Sequence, residues 1–299
     1  MKRHLLLLPL LLLTTAATAD SVPSDGLYTW TVPTSRDVRV GCWAGDRDGF
    51  NISTDEPGSG ELAIVAQMRG DRIIRLKAHD RACAPSTNAQ PIDLDVNTSI
   101  DFLVRHLEDP ADLDRILAVI AMHESPRVEP LLEKFAGKSS RYSTREKAIF
   151  WLGQRGGEAG FRFLRDLLHS DDDLELRKKA IFSISQSRVD AATGELINVA
   201  RNDKSSSLRR DALFWLGQKA STKAAAELRR AVDEDPDDDV REHAVFAISQ
   251  LPHDRSVPIL IDLVRHHKSA RVREKAMFWL SQTNDPRALD LIEEILGVR

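Results

Sequence analysis

The sequence has little of what marks enzymes and nucleic-acid-binding proteins. It contains no Gly-x-Ser-x-Gly, P-loop or Cys-x-x-Cys motif, the patterns that expose a nucleophile, cradle a phosphate or hold a redox pair. Its net charge is −4 with 29% charged residues, so it lacks the basic excess of nucleic-acid binders. After residue 13 no apolar run approaches the about 20 residues of a membrane span. We therefore expect no catalysis, no cofactor, no nucleic acid and no transmembrane helix.

The start of the chain, positions 1–19, has the three regions of a secretory signal peptide. Positions 1–4 are basic, positions 5–13 are apolar and broken only by Pro9, and positions 17–19 form a small-x-small pattern, Ala-Thr-Ala. We predict cleavage near Ala19 and an exported chain, periplasmic or secreted, that begins near Asp20. An uncleaved anchor is the alternative, and it would also imply export.

Cysteine is scarce, with only Cys42 and Cys83 in the chain. Export would place both where disulfides persist. A bond between them would close a loop of 83 − 42 = 41 residues, worth about 4 kcal/mol in the chain-entropy model. A metal-binding or reactive thiol pair is the alternative reading.

What the chain does have is a strict internal repeat. Five ten-residue segments align without gaps at a 32-residue period (177 − 145 = 32), and four columns (Arg, Ala, Phe and Gln) never change. The segments start at Arg145, Arg177, Arg209, Arg241 and Arg273. After each comes a second segment whose apolar residues are three and four apart, as in Phe161, Leu164 and Leu168, the stripe of an amphipathic helix. Such helix pairs bury their stripes by stacking.

Upstream of these units, residues 111–122 and 128–135 look like a worn copy, with Ala118 in the Phe column. We predict three parts of the mature chain: a β-rich domain at residues 20–97, a degenerate cap at 98–142 and regular repeats at 143–299.

The pattern Val-Arg-x-x-Ala-x-x-x-Leu-Gly-Gln, whose Val-Arg dipeptide is kept at Val240-Arg241 and Val272-Arg273, resembles the HEAT-like repeats of phycobilisome lyases. The resemblance implies a right-handed α-solenoid of about six helix pairs, in which the Val-Arg helix is the inner one. It says little about function, because such repeats serve unrelated tasks.

Two enzymatic relatives of this repeat type fit the sequence poorly. Deoxyhypusine hydroxylase binds iron through His-Glu pairs at its helix starts, but here only Glu242-His243 has both residue types, in reversed order. Bilin lyases need a bilin acceptor system, and no sequence feature indicates one. Adjacent His266 and His267 point about 100° apart on a helix, which favours a solvated helix end over a metal site.

The Phe and Gln columns lie away from the helix-pair core on a helical wheel. Phe150 is about 200° from the core residue Ala148, and Gln154 follows Phe150 by one turn. These columns and the charged positions before them are our candidate partner-binding residues on the concave face. They are Phe150, Phe182, Phe214, Phe246, Phe278, Gln154, Gln186, Gln218, Gln250, Gln282, Lys147, Lys179 and His243.

Exposed Phe side chains would form an apolar patch, and Gln amides could bond the backbone of an extended peptide. The alternative is structural: Phe could pack on the next repeat and Gln could bond along the stack. Trp151, Trp215 and Trp279 recur in every second unit, which indicates a duplicated two-unit block or a large–small interlock. For the invariant Arg, the resemblance to HEAT-like repeats implies a structural ladder with Asp or with backbone.

The segment before the repeats favours strands. Residues 27–32 and 38–43 alternate in polarity, and residues 62–68 and 72–78 flank Gly70-Asp71 as a hairpin. The fold class predicted is therefore mostly α: a HEAT-like solenoid after a small β domain that contains the Cys42–Cys83 disulfide.

The function predicted is a non-catalytic scaffold that binds a protein or an extended peptide on the concave face. The alternatives are a lyase-like accessory protein that cradles a cofactor or assists assembly of a complex, and a purely structural spacer.

Overall fold

The computed structural model describes residues 22–35, 38, 59–83, 87–107 and 113–297. They fall into two compact units, and the division along the chain comes after Ser125. The predicted signal segment and Cys42 lie outside the described residues, as does most of the strand predicted at 38–43. The disulfide therefore stays a prediction.

Unit 1 contains a four-stranded sheet in the order β3-β2-β1-β4. The strands are β1 (Gly26–Pro33), β2 (Glu61–Arg69), β3 (Arg72–Asp80) and the short β4 (Gln90–Pro91). β2 pairs antiparallel with both β1 and β3, whereas β4 runs parallel to β1. Gly70 and Asp71 both have positive φ, 54° and 57°, as a tight hairpin turn requires. The β-rich segment and its hairpin are confirmed.

Unit 1 also contains two α-helices among its described residues: α1 (Val96–Arg105) and α2 (Leu113–Met122). A buried chain of hydrogen bonds ties them to the sheet. The Trp30 indole N–H donates to Ser99 Oγ at 2.8 Å, Ser99 contacts His123 Nε2 at 2.8 Å, and His123 Nδ1 donates to the Val119 carbonyl at 2.7 Å. Ser99 and His123 are both fully buried, so this Ser–His pair fastens helices to the sheet and is closed to a substrate.

The contacts of α1 and α2 place these two helices with the sheet in unit 1, whereas the sequence period places residues 98–142 with the repeats. The physical reason is the side chains that replace the consensus there. α2 is buried on nearly every side, and the Met122 carbonyl at its end accepts the amide of Ser35, just after β1, at 2.8 Å.

Unit 2 is an array of helices in two layers. One layer, called here the A layer, holds the helices with the invariant columns: α4 (Tyr142–Arg155), α6 (Leu174–Gln186), α8 (Ser206–Lys219), α10 (Asp238–Ser249) and α12 (Ala270–Ser281). The B layer holds α3 (Val128–Ala136), α5 (Glu158–Ser170), α7 (Ala191–Asn202), α9 (Thr222–Glu234), α11 (His253–His266) and α13 (Pro286–Leu296). Neighbouring A helices contact each other far more than neighbouring B helices do, which places the A layer on the inner side of the array.

The core of unit 2 lies between the layers. The invariant Ala column is fully buried, as is the aliphatic residue four positions on, for example Ala148 with Leu152. Asp caps begin several helices: Asp173 accepts from the amides of Glu175 and Leu176, and Asp237 accepts from those of Asp239 and Val240. The helix pairs predicted from the 32-residue period are confirmed.

Candidate binding surface

The Phe column forms an aromatic ladder along the A layer. Each ring is half-buried between neighbours except Phe278, which is 53% exposed. Centroid separations fall in the range of favourable aromatic pairs. The ladder runs Trp151–Phe150 (5.1 Å), Phe150–Phe182 (6.0 Å), Phe182–Trp215 (4.9 Å), Trp215–Phe214 (4.9 Å), Phe214–Phe246 (6.2 Å), Phe246–Trp279 (5.0 Å) and Trp279–Phe278 (5.0 Å). These contacts are those of the structural alternative: the rings stack between repeats, and the ladder presents only part of each ring.

The recurrence of Trp in every second unit follows from alternating helix spacing. A Cβ added to Gly153 would lie 2.6 Å from the Ser183 Cα, and one added to Gly217 would lie 2.7 Å from the Ala247 carbonyl oxygen. Helices α4 and α6 therefore approach closely, as do α8 and α10. At the other junctions a Trp ring packs on the preceding Phe. Junctions with a large Trp ring thus alternate with junctions of small residues, which is the large–small interlock of the sequence analysis.

The Gln column divides into two classes. Where Ser precedes it, the Gln amide donates to that Ser hydroxyl, as in Gln186 to Ser185 at 3.0 Å and Gln250 to Ser249 at 3.1 Å; Gln282 does the same with Ser281. Where Gly precedes it, the Gln side chain has no hydrogen bond within the part of the chain described; these are Gln154 and Gln218. Gln218 is exposed, so its amide is free to bind.

Charged side chains that precede the Phe column on each A helix form ion pairs with charged side chains of the neighbouring repeat. Lys179 Nζ lies 2.6 Å from Glu146 Oε1, and this contact raises the pKa of Lys179. Glu242 is contacted by Arg271 at 2.5 Å and by Lys275 at 3.6 Å. Of the predicted binding residues, Lys147 is half-buried and Lys179 is committed to this pair.

His243 and Asp211 lie on adjacent A helices at equivalent positions of the repeat. The His243 ring contacts Phe246, with centroids 5.5 Å apart, and its Nε2 is buried without a hydrogen-bond partner among the described residues. Burial, with a smaller contribution from Arg210, lowers the pKa of His243, so the ring is neutral at neutral pH. Burial raises the pKa of the Asp211 carboxyl, against the attraction of Lys178 and Arg210.

The invariant Arg side chains form a second row of contacts along the array, called here the Arg–Asp ladder. This ladder was predicted in outline from the sequence. In three repeats the Arg reaches an Asp 26 positions later, just before the next A helix. Arg177 lies 2.5 Å from Asp203, and Arg209 donates to both oxygens of Asp235 at 2.9 Å; Arg145 pairs with Asp171 in the same way. The Arg side chains also donate to backbone, as Arg177 Nε does to the Leu168 carbonyl at 2.6 Å. The predicted structural role of this column is confirmed.

At His267 the Arg–Asp ladder has a His in place of the Asp, and the prediction for this residue was wrong. It was predicted to lie at a solvated helix end, yet it is only 7% exposed, because it occupies the position that Asp171, Asp203 and Asp235 hold in earlier repeats. Its Nδ1 accepts the Ser269 amide at 3.1 Å, as each Asp accepts the amide two residues on. The neighbouring His266 is exposed and contacts Asp262.

Sequence reasoning missed the Asp column and the Gly–small contacts. The signal for the first was present, since Asp171, Asp203 and Asp235 recur once per repeat. Among the described residues no three His, Cys, Asp or Glu side chains converge as a metal site. Nor does any helix there have the length and apolar character to cross a membrane.

The repeat geometry agrees with a family comparison. A model of HEAT repeats matches residues 100–185, 193–277 and 231–298. The chain belongs to the HEAT-repeat family. The first match includes α2, so this helix keeps the HEAT pattern although its contacts are with unit 1. A comparison with curated proteins gives no match.

Three solved structures illustrate what the HEAT protein is similar to. Human deoxyhypusine hydroxylase in complex with glycerol is 16% identical over 65% of this chain and 77% of its own, with a TM-score of 0.30. The CpcE–CpcF complex of phycocyanin lyase from Nostoc sp. PCC7120 is 15% identical over 51% and 96%, with a TM-score of 0.38. The Escherichia coli protein YibA is 22% identical over 63% and 70%, with a TM-score of 0.40.

Proposed function

We propose that this HEAT protein is a non-catalytic scaffold that binds a protein segment in extended conformation along the A layer of unit 2. The observation that carries the proposal is the row of Gln side chains, one per repeat, four of them exposed on the inner helices. An amide both donates and accepts. A regular row of amides therefore matches the alternating N–H and C=O groups of an extended backbone.

The aromatic ladder supports the same proposal. Because its rings are held by stacking, they form a rigid, partly apolar floor beside the amides, and binding to a rigid surface loses little side-chain entropy. Ion pairs between repeats, such as Lys179 with Glu146 and Arg271 with Glu242, neutralise part of the charge on this face.

Site-specific photo-crosslinking tests the scaffold proposal. A photoreactive amino acid replaces Gln218 or Gln250 on the A layer, and Asp166, an exposed residue of α5 in the B layer, serves as the matched control position. In producing cells we expect the two A-layer positions to crosslink neighbouring residues of one partner segment, identified by mass spectrometry, and the control to give none. Equal crosslinking from position 166, or none from the A layer, would contradict the proposal. A coloured purified protein would favour the cofactor-cradling alternative.

We also propose that the chain is exported and processed. If residues 1–19 are a signal peptide, protein recovered from the producing cell is expected to begin at Asp20, as measured by intact mass and N-terminal sequencing. Replacing Leu7 and Leu8 with Arg should block processing, because charge destroys the apolar segment of the signal. A recovered chain that still starts at Met1 would contradict this proposal.

A further inference from the structure

Three side chains of α8 form one stripe: Asp211, Trp215 and Gln218. They stand four and three residues apart, so they are successive neighbours along one face of the helix. This stripe lies in the middle of the A layer, with Phe182 of α6 against Trp215 at a centroid distance of 4.9 Å. We call it the α8 stripe.

Each group in the α8 stripe has unused bonding capacity. Asp211 forms no hydrogen bond and no ion pair with any described residue, although it is half-buried. The indole N–H groups of Trp151 and Trp279 are buried without a partner among the described residues. The Trp215 side chain is partly exposed, as that of Trp279 also is, but the Trp215 N–H is not among those buried groups. Gln218 has Gly217 before it rather than Ser, so its amide is not held by a neighbouring hydroxyl.

The combination occurs once among the five A helices that the structure describes. The position of Asp211 is occupied elsewhere by Lys147, Lys179, His243 and Lys275. The position of Trp215 is Ser183 in α6 and Ala247 in α10, and the Gln of α6, α10 and α12 is hydrogen-bonded to Ser. Only α8 therefore combines an acid, an accessible indole and a free amide.

The chemistry of the stripe selects a cation. A carboxylate that burial has deprived of solvent gains more from an incoming positive charge than an exposed one does. The faces of Trp215 and Phe182 attract the same charge through their π electrons. The Gln218 amide, one turn further on, can bond the backbone beside the cationic residue.

We propose that the α8 stripe binds a lysine or arginine side chain of the extended segment, with the ammonium or guanidinium group on the Asp211 carboxylate and its stem along Trp215. This inference rests on the proposed function and adds the specificity of its central position. Nearby cations do not occupy the carboxylate. Lys178 and Arg210 are both close enough to lower the pKa of Asp211 against the effect of burial. However, Lys178 is paired with Glu175 at 2.8 Å, and neither cation makes an ion pair with Asp211 in the described part of the chain.

The test begins with selection from a displayed library of random decapeptides on the purified wild-type chain. We expect selected peptides to share Lys or Arg at one fixed position. Selected peptides with no basic preference would overturn the cation site and leave the scaffold intact. Selection of no peptide at all would overturn both.

A binding cycle then isolates the Asp211 contribution. The dissociation constant of a selected peptide is measured by fluorescence anisotropy with the wild type and Asp211→Asn, and again with norleucine in place of the peptide's basic residue. We expect each single change to weaken binding about tenfold and the two together to weaken it no further. Additive losses would overturn the assignment of the cation to Asp211.

The control for this cycle is the same substitution on the other layer. Asp166 lies on α5, and its side chain is 73% exposed beside Arg165. Asp166→Asn therefore removes one negative charge from the protein without touching the A layer, and it should bind the peptide as the wild type does. An equal loss of affinity in this variant would mean that net charge, rather than the α8 stripe, attracts the peptide.

Stability separates binding from folding in the Asp211→Asn variant. Because the folded pKa of Asp211 is raised, by burial first and also by nearby Glu175, protein stability decreases as pH rises through that pKa and the carboxylate ionises. At neutral pH the uncharged variant should therefore melt at the same temperature as the wild type or higher. Weaker binding together with a lowered melting temperature would point to a structural role and contradict the proposal.

Discussion

Arg209→Ala is expected to lower the free energy of unfolding by about 3–5 kcal/mol, the range for breaking a buried ion pair from one side. Arg209 is 8% exposed and donates to both oxygens of Asp235, which is 4% exposed. The side chain also donates to the Asp203 carbonyl at 3.0 Å. Its removal takes the guanidinium away from the buried Asp235 carboxylate, which keeps the hydrogen bond from the Asp237 amide.

The measurement is urea unfolding followed by circular dichroism, with hydrogen exchange to locate the loss, since repeat arrays can unfold in parts. Lys138→Ala is the matched control. Its partner Asp172 lies at 3.1 Å, but the two side chains are 63% and 97% exposed, so the change should be below about 0.5 kcal/mol. If Arg209→Ala and Lys138→Ala had equal effects, the Arg–Asp ladder would not be a source of stability.

Gly217→Ala and Gly194→Ala are expected to change stability in opposite directions. At Gly217 the new methyl group would meet the Ala247 carbonyl oxygen at 2.7 Å. Because that atom is backbone, α8 and α10 would have to separate, at a cost of about 1–3 kcal/mol. At Gly194, inside α7, nothing described lies within 4 Å of the new group, and Ala stabilises a helix interior by about 0.5–1 kcal/mol.

Thermal melts of the two variants check this pair directly, since the substitution is identical and both sites are helical. The wild-type melting temperature should lie between the two. A Gly217→Ala variant as stable as Gly194→Ala would contradict the close approach of the A helices. We expect Gly217→Ala also to disturb the Phe214–Phe246 stacking, which Trp fluorescence can follow through neighbouring Trp215.

The A helices show how far a repeat pattern alone can place side chains. The wheel predicted correctly that Ala148 faces the core and Phe150 does not, since that follows from about 100° per residue within one helix. It left open whether Phe150 would stack on Phe182 or face a partner, because the distance between neighbouring helices is not determined by the sequence of either helix. Those ring contacts depend on Gly153 and Ser183, small residues that let α4 and α6 approach.

For the candidate site, too, the sequence predicted some features and the tertiary structure decided others. The exposed Gln column could be read from the period, but not which Gln is free, because that depends on whether Ser or Gly precedes it and on the hydrogen bond that forms. Asp211 breaks a column that otherwise holds Lys or His, yet the sequence does not tell an unpaired acid from one bonded to the neighbouring repeat.

The sequence by itself determined the repeat, the helix pairs and the β hairpin. These follow from local periodicity and from the turn residues between the periodic segments. Only the tertiary structure decided that α1 and α2 cluster with the sheet, that His267 is buried, and that Asp211 beside Trp215 forms no hydrogen bond or ion pair with the described residues. Each of these depends on contacts between residues distant in sequence, where packing and desolvation, rather than local preference, set the outcome.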